Sequence, residues 1–120
     1  MIFYTDGSST IGVKSAYCVT DEKGQVIAFE ETRREEPIIL EKTNNAEEYR
    51  GVITALKLCK EGDEICTDSL LVVNQIKGAY KVKQDHLKPL FYQAKVLLAE
   101  KRAKLTWISR KENLAGKVFE

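Results

Sequence analysis

The segment IFYTDGSS, residues 2–9, decides the fold expected for this chain. It opens with apolar and β-favouring side chains, as a buried strand does, and then places Asp6 before Gly7. An acidic side chain at the end of an apolar, central strand loses hydration, which is costly unless a cation compensates. Aspartate before glycine is also common in turns, so Asp6 alone leaves a structural and a functional interpretation open.

Strand and helix patterns follow this segment along the whole chain. Turn residues at Gly12 and at 21–24 separate the first three strands, and the third alternates in the way of an exposed edge strand. The predicted strands are Ile2–Thr5, Lys14–Thr20, Val26–Arg33, Glu64–Thr67 and Ala103–Ile108, and the predicted helices are Asn45–Glu61, Ser69–Ile76, Lys88–Arg102 and a short one from Glu112. This order predicts an α/β fold in which an antiparallel edge joins parallel strands under a cover of helices.

The composition limits the class of protein. With 120 residues, of which 43% are hydrophobic and 31% charged, the sequence suits one globular domain, residues 1–120. No apolar run reaches the ~20 residues that cross a bilayer, and the first residues lack a signal-peptide pattern. We therefore expect a soluble, cytoplasmic protein with no membrane partner, and a monomer by default. Three cysteines without metal-ligand spacing indicate buried thiols, and a single histidine, His86, excludes a zinc site.

The net charge of +1 conceals an uneven distribution along the chain. Eleven basic residues and only three acidic ones lie between Lys77 and Lys117. A locally basic surface is a weak indication of a polyanionic partner, and a solvated face of ordinary lysines is the alternative.

Two neighbouring glutamates lie near the start of the first predicted helix. On a helical wheel, Glu48 lies within about 40° of Val52 and Cys59 and so borders the core-facing stripe. Glu47 points roughly the opposite way, and we expect it in solvent. The helix dipole also favours a glutamate in the first turn, but residues 43–45 already offer capping groups.

Asp68 ends the fourth predicted strand and precedes the next helix, where it also suits a helix N-cap. In an α/β sheet, the carboxyl ends of parallel strands line one crevice in which ligands bind. Asp6 and Asp68 both lie at such ends, and Glu48 reaches toward them from the covering helix. Three converging carboxylates without an arginine or lysine nearby in sequence repel one another, and hard divalent cations relieve that repulsion.

Four segments together resemble type 1 ribonuclease H. They follow the order and the separations of that family and span nearly the whole chain: Tyr4-Thr5-Asp6-Gly7-Ser8, Thr43-Asn44-Asn45-Ala46-Glu47-Glu48, Thr67-Asp68-Ser69 and Thr106-Trp107-Ile108-Ser109-Arg110-Lys111-Glu112-Asn113. In the family, an asparagine pair shortly precedes the catalytic glutamate, which selects Glu48, as the wheel does. The resemblance implies a ribonuclease H-like fold: a five-stranded mixed sheet, three strands antiparallel and two parallel, with helices on both faces.

The resemblance also implies the chemistry. Asp6, Glu48 and Asp68 are expected to hold two Mg²⁺ or Mn²⁺ ions, with Asp6 as the bridging ligand, for hydrolysis of the RNA strand of RNA–DNA hybrids. One ion activates a water and the other stabilises the departing 3′ oxygen, which leaves 5′-phosphate and 3′-hydroxyl ends. The implied substrate-binding residues are Gly7 and Ser8 at the RNA backbone, Asn44 and Asn45 in the minor groove, and Thr43 on a DNA phosphate.

The sequence departs from the family pattern after the final strand. The family has a fourth carboxylate there, and the alignment places Gly116 or Lys117 at its position. We predict that Glu120, one helical turn beyond Gly116, supplies this carboxylate as a fourth catalytic residue; a terminal residue without function is the alternative. The family's loop histidine is absent, and Arg110 is expected to bind phosphate in that neighbourhood.

Two further departures concern substrate binding. Leu70 lies where many relatives carry glutamine, so one minor-groove hydrogen bond is expected to be absent. The short basic stretch 77–83 replaces the long basic protrusion of some relatives and is expected to follow the DNA strand with salt-sensitive, weak binding.

The sequence leaves two other functions open. The missing fourth acid favours a catalytically weak or inactive module that binds nucleic acid or protein, whereas Asp6, Glu48 and Asp68 together favour an active enzyme. A metal-dependent nuclease for another nucleic acid is the third interpretation, because a fold does not fix a substrate. Asn44 and Asn45 favour hybrids over duplex DNA.

Overall fold

The computed structural model describes residues 1–10, 14–33 and 43–120. In chain order, the elements of this part are β1 Ile2–Thr10, β2 Lys14–Thr20, β3 Val26–Arg33, α1 Asn44–Leu58, β4 Glu64–Thr67, α2 Leu70–Lys77, a 3-10 turn at Asp85–Leu87, α3 Lys88–Lys101, β5 Lys104–Trp107, and 3-10 turns at Arg110–Glu112 and Gly116–Phe119. None of these helices has both the length and the apolar surface needed to cross a lipid bilayer. Gly12, predicted in the turn between β1 and β2, lies outside the described residues.

The strands form one mixed sheet in the order β3-β2-β1-β4-β5. β1 pairs antiparallel with β2, and β2 with β3, whereas the β1–β4 and β4–β5 pairs are parallel. The predicted α/β class, with three antiparallel and two parallel strands, is therefore confirmed, and so is the position of β3 at the edge. Because β1 is the central strand, Asp6 lies in the middle of the sheet, opposite Cys18 of β2.

The three α-helices pack on one face of the sheet around a common core. In this core, Tyr49, Val52 and Leu56 of α1 pack against the sheet, which contributes Phe3 of β1 and Ile65 of β4. Ala94 of α3 is buried in the same core. On edge strand β3, Ala28 packs against this core, so its neighbour Phe29 faces the other side, where its ring lies 6.0 Å from that of Phe119. The helices expected on both faces are therefore three α-helices on one face, with the 3-10 turn Gly116–Phe119 on the other.

Two element boundaries differ from the prediction for tertiary reasons. β1 continues to Thr10, beyond its predicted end at Thr5, because β2 pairs with the extension. α1 ends at Leu58, before its predicted end at Glu61, and Cys59 follows in extended backbone. The Cys59 carbonyl accepts a hydrogen bond of 2.6 Å from the Lys101 amine of α3, an interaction that competes with continuation of the helix.

Gly7 lets β1 and α1 approach each other closely. A Cβ atom at this position would overlap the backbone of Glu47 and Glu48 near the start of α1. Because glycine alone lacks that atom, the central strand lies directly against the helix backbone here. The contact fixes the start of α1 relative to β1 and brings Glu48 next to Asp6.

This contact predicts that Gly7→Ala is strongly destabilising. The new methyl group forces α1 away from β1, and we expect the free energy of unfolding to fall by roughly 3 kcal/mol or more. Gly62→Ala is the matched control: Gly62 has a φ of 83° but open space around its Cβ position, so only backbone strain of ~1 kcal/mol is expected. Chemical denaturation measures both. An equal loss in the two variants would contradict the role assigned to Gly7.

Candidate active site

Three carboxylates from separate parts of the chain meet beside the middle of the central strand, β1, where its parallel neighbour β4 ends. One oxygen each of Asp6, Glu48 and Asp68 lies within 4.8 Å of the others. β1 and β4 are parallel neighbours in which Thr5 pairs with Thr67, so Asp68, the first residue after β4, lies beside Asp6, where β1 continues. The sequence prediction that these three side chains converge is confirmed.

Two oxygens of this carboxylate cluster lack the hydrogen bonds that buried acids usually have. Asp6 is only 1% exposed, and Glu48 and Asp68 are half-buried. Among the described residues, no hydrogen-bond partner is found for Asp6 Oδ1 or Glu48 Oε2, although both atoms are buried. Buried polar atoms without partners are rare, and one physical explanation for them is a site that takes an ion or a water. Carboxylate oxygens are ligands that hard divalent cations prefer, so the cluster fits such an ion.

Burial and mutual repulsion change the protonation of the cluster. Burial raises the pKa of Glu48 well above its usual value, and the negative charges of Asp6 and Asp68 raise it further. Burial, followed by the charge of Asp68, also raises the pKa of Asp6. A proton kept on Glu48 removes one of the three negative charges and so lowers the repulsion within the cluster. Without a metal ion, the cluster therefore retains a proton beyond the pH at which free carboxyls lose theirs.

Asp68 is not the N-cap of α2. Ser69 is the capping residue, and its hydroxyl accepts a hydrogen bond of 3.2 Å from the backbone nitrogen of Val72. The Asp68 carboxylate therefore remains in the cluster, and the structural interpretation that the sequence left open is removed.

Two residues that sequence reasoning did not single out hold Asp68 in place. Asn113 is fully buried, and its Nδ2 donates to the Thr5 carbonyl at 2.9 Å and to Asp68 Oδ2 at 3.1 Å. Trp107 Nε1 donates to the Asp68 carbonyl at 3.1 Å. Both residues belong to the last of the four matching segments, which was the available signal, but their contacts with Asp68 arise only in the folded chain.

Glu47 is buried, so its predicted position in solvent is wrong. Its side chain is 2% exposed and forms an ion pair of 2.7 Å with Arg50, one helical turn away. The wheel assumed one buried stripe, but α1 packs against both β1 and β2, which widens the buried face. The negative charge of Glu47 also acts on Tyr17 of β2: burial is the main cause that raises the pKa of Tyr17, and Glu47 raises it to a small extent.

Arg110 approaches the cluster from the 3-10 turn after β5. Its Nη1 lies 3.7 Å from Asp6 Oδ2 and 3.5 Å from Asp68 Oδ2, while its side chain is 63% exposed. The sequence showed no compensating cation near the three acids because Arg110 is 42 residues from Asp68 along the chain.

Comparison with known proteins identifies the family. The family profile described as RNase H matches residues 1–115. The chain belongs to the RNase H family. Among solved structures, the N-terminal RNase H domain of Rv2228c from Mycobacterium tuberculosis, solved as a fusion with maltose-binding protein, superimposes with a TM-score of 0.71 at 30% identity, over 93% of this chain and 84% of that one.

Two further structures of RNase H1 proteins resemble this RNase H domain. LC11-RNase H1 in complex with an RNA/DNA hybrid has a TM-score of 0.65 at 30% identity, over 93% of this chain and 87% of that chain. RNase H1 from the archaeon Halobacterium salinarum shares the fold, with a TM-score of 0.71 at 23% identity, over 98% of this chain and 91% of that one. The predicted fold family is confirmed.

This chain matches only part of the length of its curated relatives. The bifunctional protein Rv2228c of Mycobacterium tuberculosis is 40% identical over 76 residues, which are 59% of this chain and 21% of that protein. This RNase H domain thus spans about a fifth of the length of such relatives.

The predicted substrate-binding residues surround the start of α1. Thr43, Asn44 and Asn45 line a cavity of about 250 Å³ together with Ser9 and Gln84. Thr43 Oγ1 caps α1 and lies 3.4 Å from His86 Nε2, which places the single histidine beside this cavity. Gly7 and Ser8 lie between the cavity and the carboxylate cluster along β1.

A neighbouring cavity carries part of the basic stretch predicted to follow a DNA strand. Its volume is about 230 Å³, and it is lined by Asn45, Gln84, Lys81 and Lys83 among others. Asn45 and Gln84 are common to the two cavities, so they form one polar surface beside α1.

Among the residues that the structure describes, no fourth carboxylate joins the cluster. The position that faces the cluster is Gly116, where a Cβ atom would lie 3.5 Å from Asp6 Oδ2 and 3.9 Å from Asp68 Oδ2, whereas Lys117 is exposed. Glu120 is exposed and is not among the described carboxylates that meet within 4.8 Å.

The geometry of the last turn explains the position of Glu120. The prediction assumed an α-helix from Glu112, in which residues four apart share a face. Residues Gly116–Phe119 instead form a 3-10 turn. With three residues per turn, a residue four positions on points about a third of a turn away from the cluster.

The cluster predicts that two adjacent glutamates affect stability in opposite ways. Glu48→Gln removes a charge that burial and repulsion disfavour, so in EDTA at pH 7 we expect the free energy of unfolding to rise by ~1 kcal/mol or more. Glu47→Gln is the matched control, since it breaks the buried ion pair with Arg50 and lowers stability by ~1 kcal/mol or more.

The pH dependence follows from the raised pKa. Protonated Glu48 stabilises the metal-free fold below its usual pKa of 4.5, and this stabilisation is lost as pH rises through the higher folded value. The increase in the free energy of unfolding caused by Glu48→Gln therefore shrinks toward zero by pH 4. Chemical denaturation of wild type and variant at pH 7 and at pH 4 measures this change. A Glu48→Gln variant less stable than wild type at pH 7 would refute this account of the cluster.

Proposed function

We propose that this RNase H domain hydrolyses the RNA strand of RNA–DNA hybrids, leaving 5′-phosphate and 3′-hydroxyl ends. The observation that carries the proposal is the cluster of Asp6, Glu48 and Asp68, in which two buried oxygens, Asp6 Oδ1 and Glu48 Oε2, lack hydrogen-bond partners among the described residues. The hybrid bound by LC11-RNase H1, which is 30% identical to this chain, supports the substrate class.

Two Mg²⁺ or Mn²⁺ ions, held by Asp6, Glu48 and Asp68, would supply a water nucleophile at neutral pH and neutralise the charge on the departing oxygen. Asp6, on the central strand, is the ligand best placed to be shared. Asn113 and Trp107 hold Asp68 in position, which preserves its direction when the ions bind.

Substrate binding is proposed for the surface between the start of α1 and the basic stretch 77–83. Thr43, Asn44 and Asn45 offer hydroxyl and amide groups for a phosphate and for base edges, and Lys81 and Lys83 add positive charge next to them. Gly7 and Ser8 are proposed to meet the RNA backbone, and Arg110 to bind a phosphate near the cluster. Binding through lysines predicts affinity that falls as salt rises.

A catalytically weak or inactive module that binds hybrids is the second candidate. Gly116 favours it, because this position faces Asp6 and Asp68 without providing a carboxylate. The two candidates differ in turnover and share binding, so a cleavage assay separates them. The cytoplasmic location and the monomeric state remain proposals from the sequence.

Asp68→Asn is expected to abolish cleavage. The substitution keeps the shape of the side chain but removes the charge needed for a divalent ion, and losses of 100-fold or more are on the order expected for such a ligand. The measurement is cleavage of end-labelled RNA–DNA hybrid, double-stranded RNA and duplex DNA in Mg²⁺ and in Mn²⁺. The outcome that supports the proposal is cleavage of the hybrid alone, lost in Asp68→Asn. Equal activity in wild type and variant would indicate a contaminant and refute it.

Glu120→Gln tests the predicted fourth catalytic residue. Since Glu120 lies outside the carboxylate cluster, we expect the variant to retain the hybrid cleavage of wild type within about twofold. A loss comparable to that of Asp68→Asn, in a variant of unchanged stability, would instead assign the fourth carboxylate to Glu120.

A further inference from the structure

The Arg110 guanidinium lies against the same two carboxylates that a divalent ion needs. It is within 4 Å of Asp6 Oδ2 and Asp68 Oδ2, and these two residues expose only 1% and 10% of their side chains. A cation at this place neutralises part of the repulsion within the cluster, because opposite charges close to a desolvated group are weakly screened. The guanidinium is therefore a counter-ion supplied by the chain itself.

A guanidinium and a divalent ion cannot both be bound close to these oxygens without repelling each other. Arg110 must withdraw toward solvent when an ion binds, and its 63% exposure shows that the side chain has room to do so. Metal binding then breaks the Arg110 ion pairs, so the free energy of metal binding is less favourable by the free energy of those pairs. Any group that binds the metal-free state alone weakens the apparent affinity for the ion.

Gly116 makes this competition more effective. It lies beside Asp6 and Asp68 on the side where a fourth acid would add attraction for an ion. With an uncharged glycine there, the carboxylates that face the single positive charge of Arg110 among the described residues are Asp6, Glu48 and Asp68.

We propose that Arg110 is a tethered counter-ion that competes with a divalent cation for Asp6 and Asp68 and so raises the metal concentration at which the site fills. The inference rests on the proposed function insofar as the cluster binds a divalent ion, but it does not require that the chain cleave a hybrid.

Isothermal titration with Mn²⁺, without nucleic acid, tests the proposal. Arg110→Gln should bind Mn²⁺ about fivefold more tightly than wild type, the upper range for an ion pair of this exposure, and Arg110→Lys should lie between the two. Arg102→Gln is the matched control: it removes the same charge at the other end of β5, where Arg102 pairs with Glu61 at 3.5 Å, and should leave the affinity unchanged. Because the guanidinium is exposed, the difference between wild type and Arg110→Gln should shrink as NaCl is raised.

Thermal denaturation gives a second readout. In EDTA, Arg110→Gln should melt below wild type, since the cluster loses its counter-ion, and saturating Mn²⁺ should remove the difference. Affinity unchanged or weakened in Arg110→Gln would overturn the proposal, as would an equal gain in Arg102→Gln or no Mn²⁺ binding by any variant. A hybrid that stays uncut while Mn²⁺ binds more tightly to Arg110→Gln would count against the proposed function and leave this inference standing.

Discussion

The repulsion among three desolvated carboxylates is the constraint to which the rest of the site is fitted. Asp6, Glu48 and Asp68 stay together because rigid elements bring them there: parallel pairing of β1 and β4, and the contact of Gly7 with the backbone of α1. The raised pKa of Glu48, which favours its neutral form, and the Arg110 guanidinium lower the repulsion without removing it. The fold thus keeps an unfavourable arrangement at its centre, as sites that bind cations commonly do.

The elements that the sequence predicted well are those whose ends are set locally. β2, β3 and β4 have the predicted bounds, because alternation and flanking turn residues define them. The end of β1 and the end of α1 were placed wrongly because partners distant in sequence decide them. β2 extends β1 by pairing, and a lysine from α3 binds the carbonyl at which α1 stops.

The site shows the same division between local and distant information. The three acids were predictable, because strand ends and a helix stripe place them. The groups that surround them were not: Asn113 and Arg110 reach Asp68 across 45 and 42 residues of chain. The helical wheel chose Glu48 correctly but misplaced Glu47, since a wheel contains no information on how many strands a helix covers. The helix expected from Glu112 was wrong, because propensity does not separate an α-helix from a 3-10 turn over four residues, and the catalytic role of Glu120 stays a prediction.

The absence of an acid at position 116 and the presence of Arg110 act in the same direction. A carboxylate facing Asp6 and Asp68 would increase the attraction for a divalent ion, but it would also add repulsion in the metal-free fold. The positive charge of Arg110, close to Asp6 and Asp68, decreases both the attraction for a divalent ion and the repulsion in the metal-free fold. In a domain of 120 residues, where the net stability is only about 5–15 kcal/mol, such changes matter for folding. The same charges therefore determine both the attraction for a divalent ion and the repulsion in the metal-free fold.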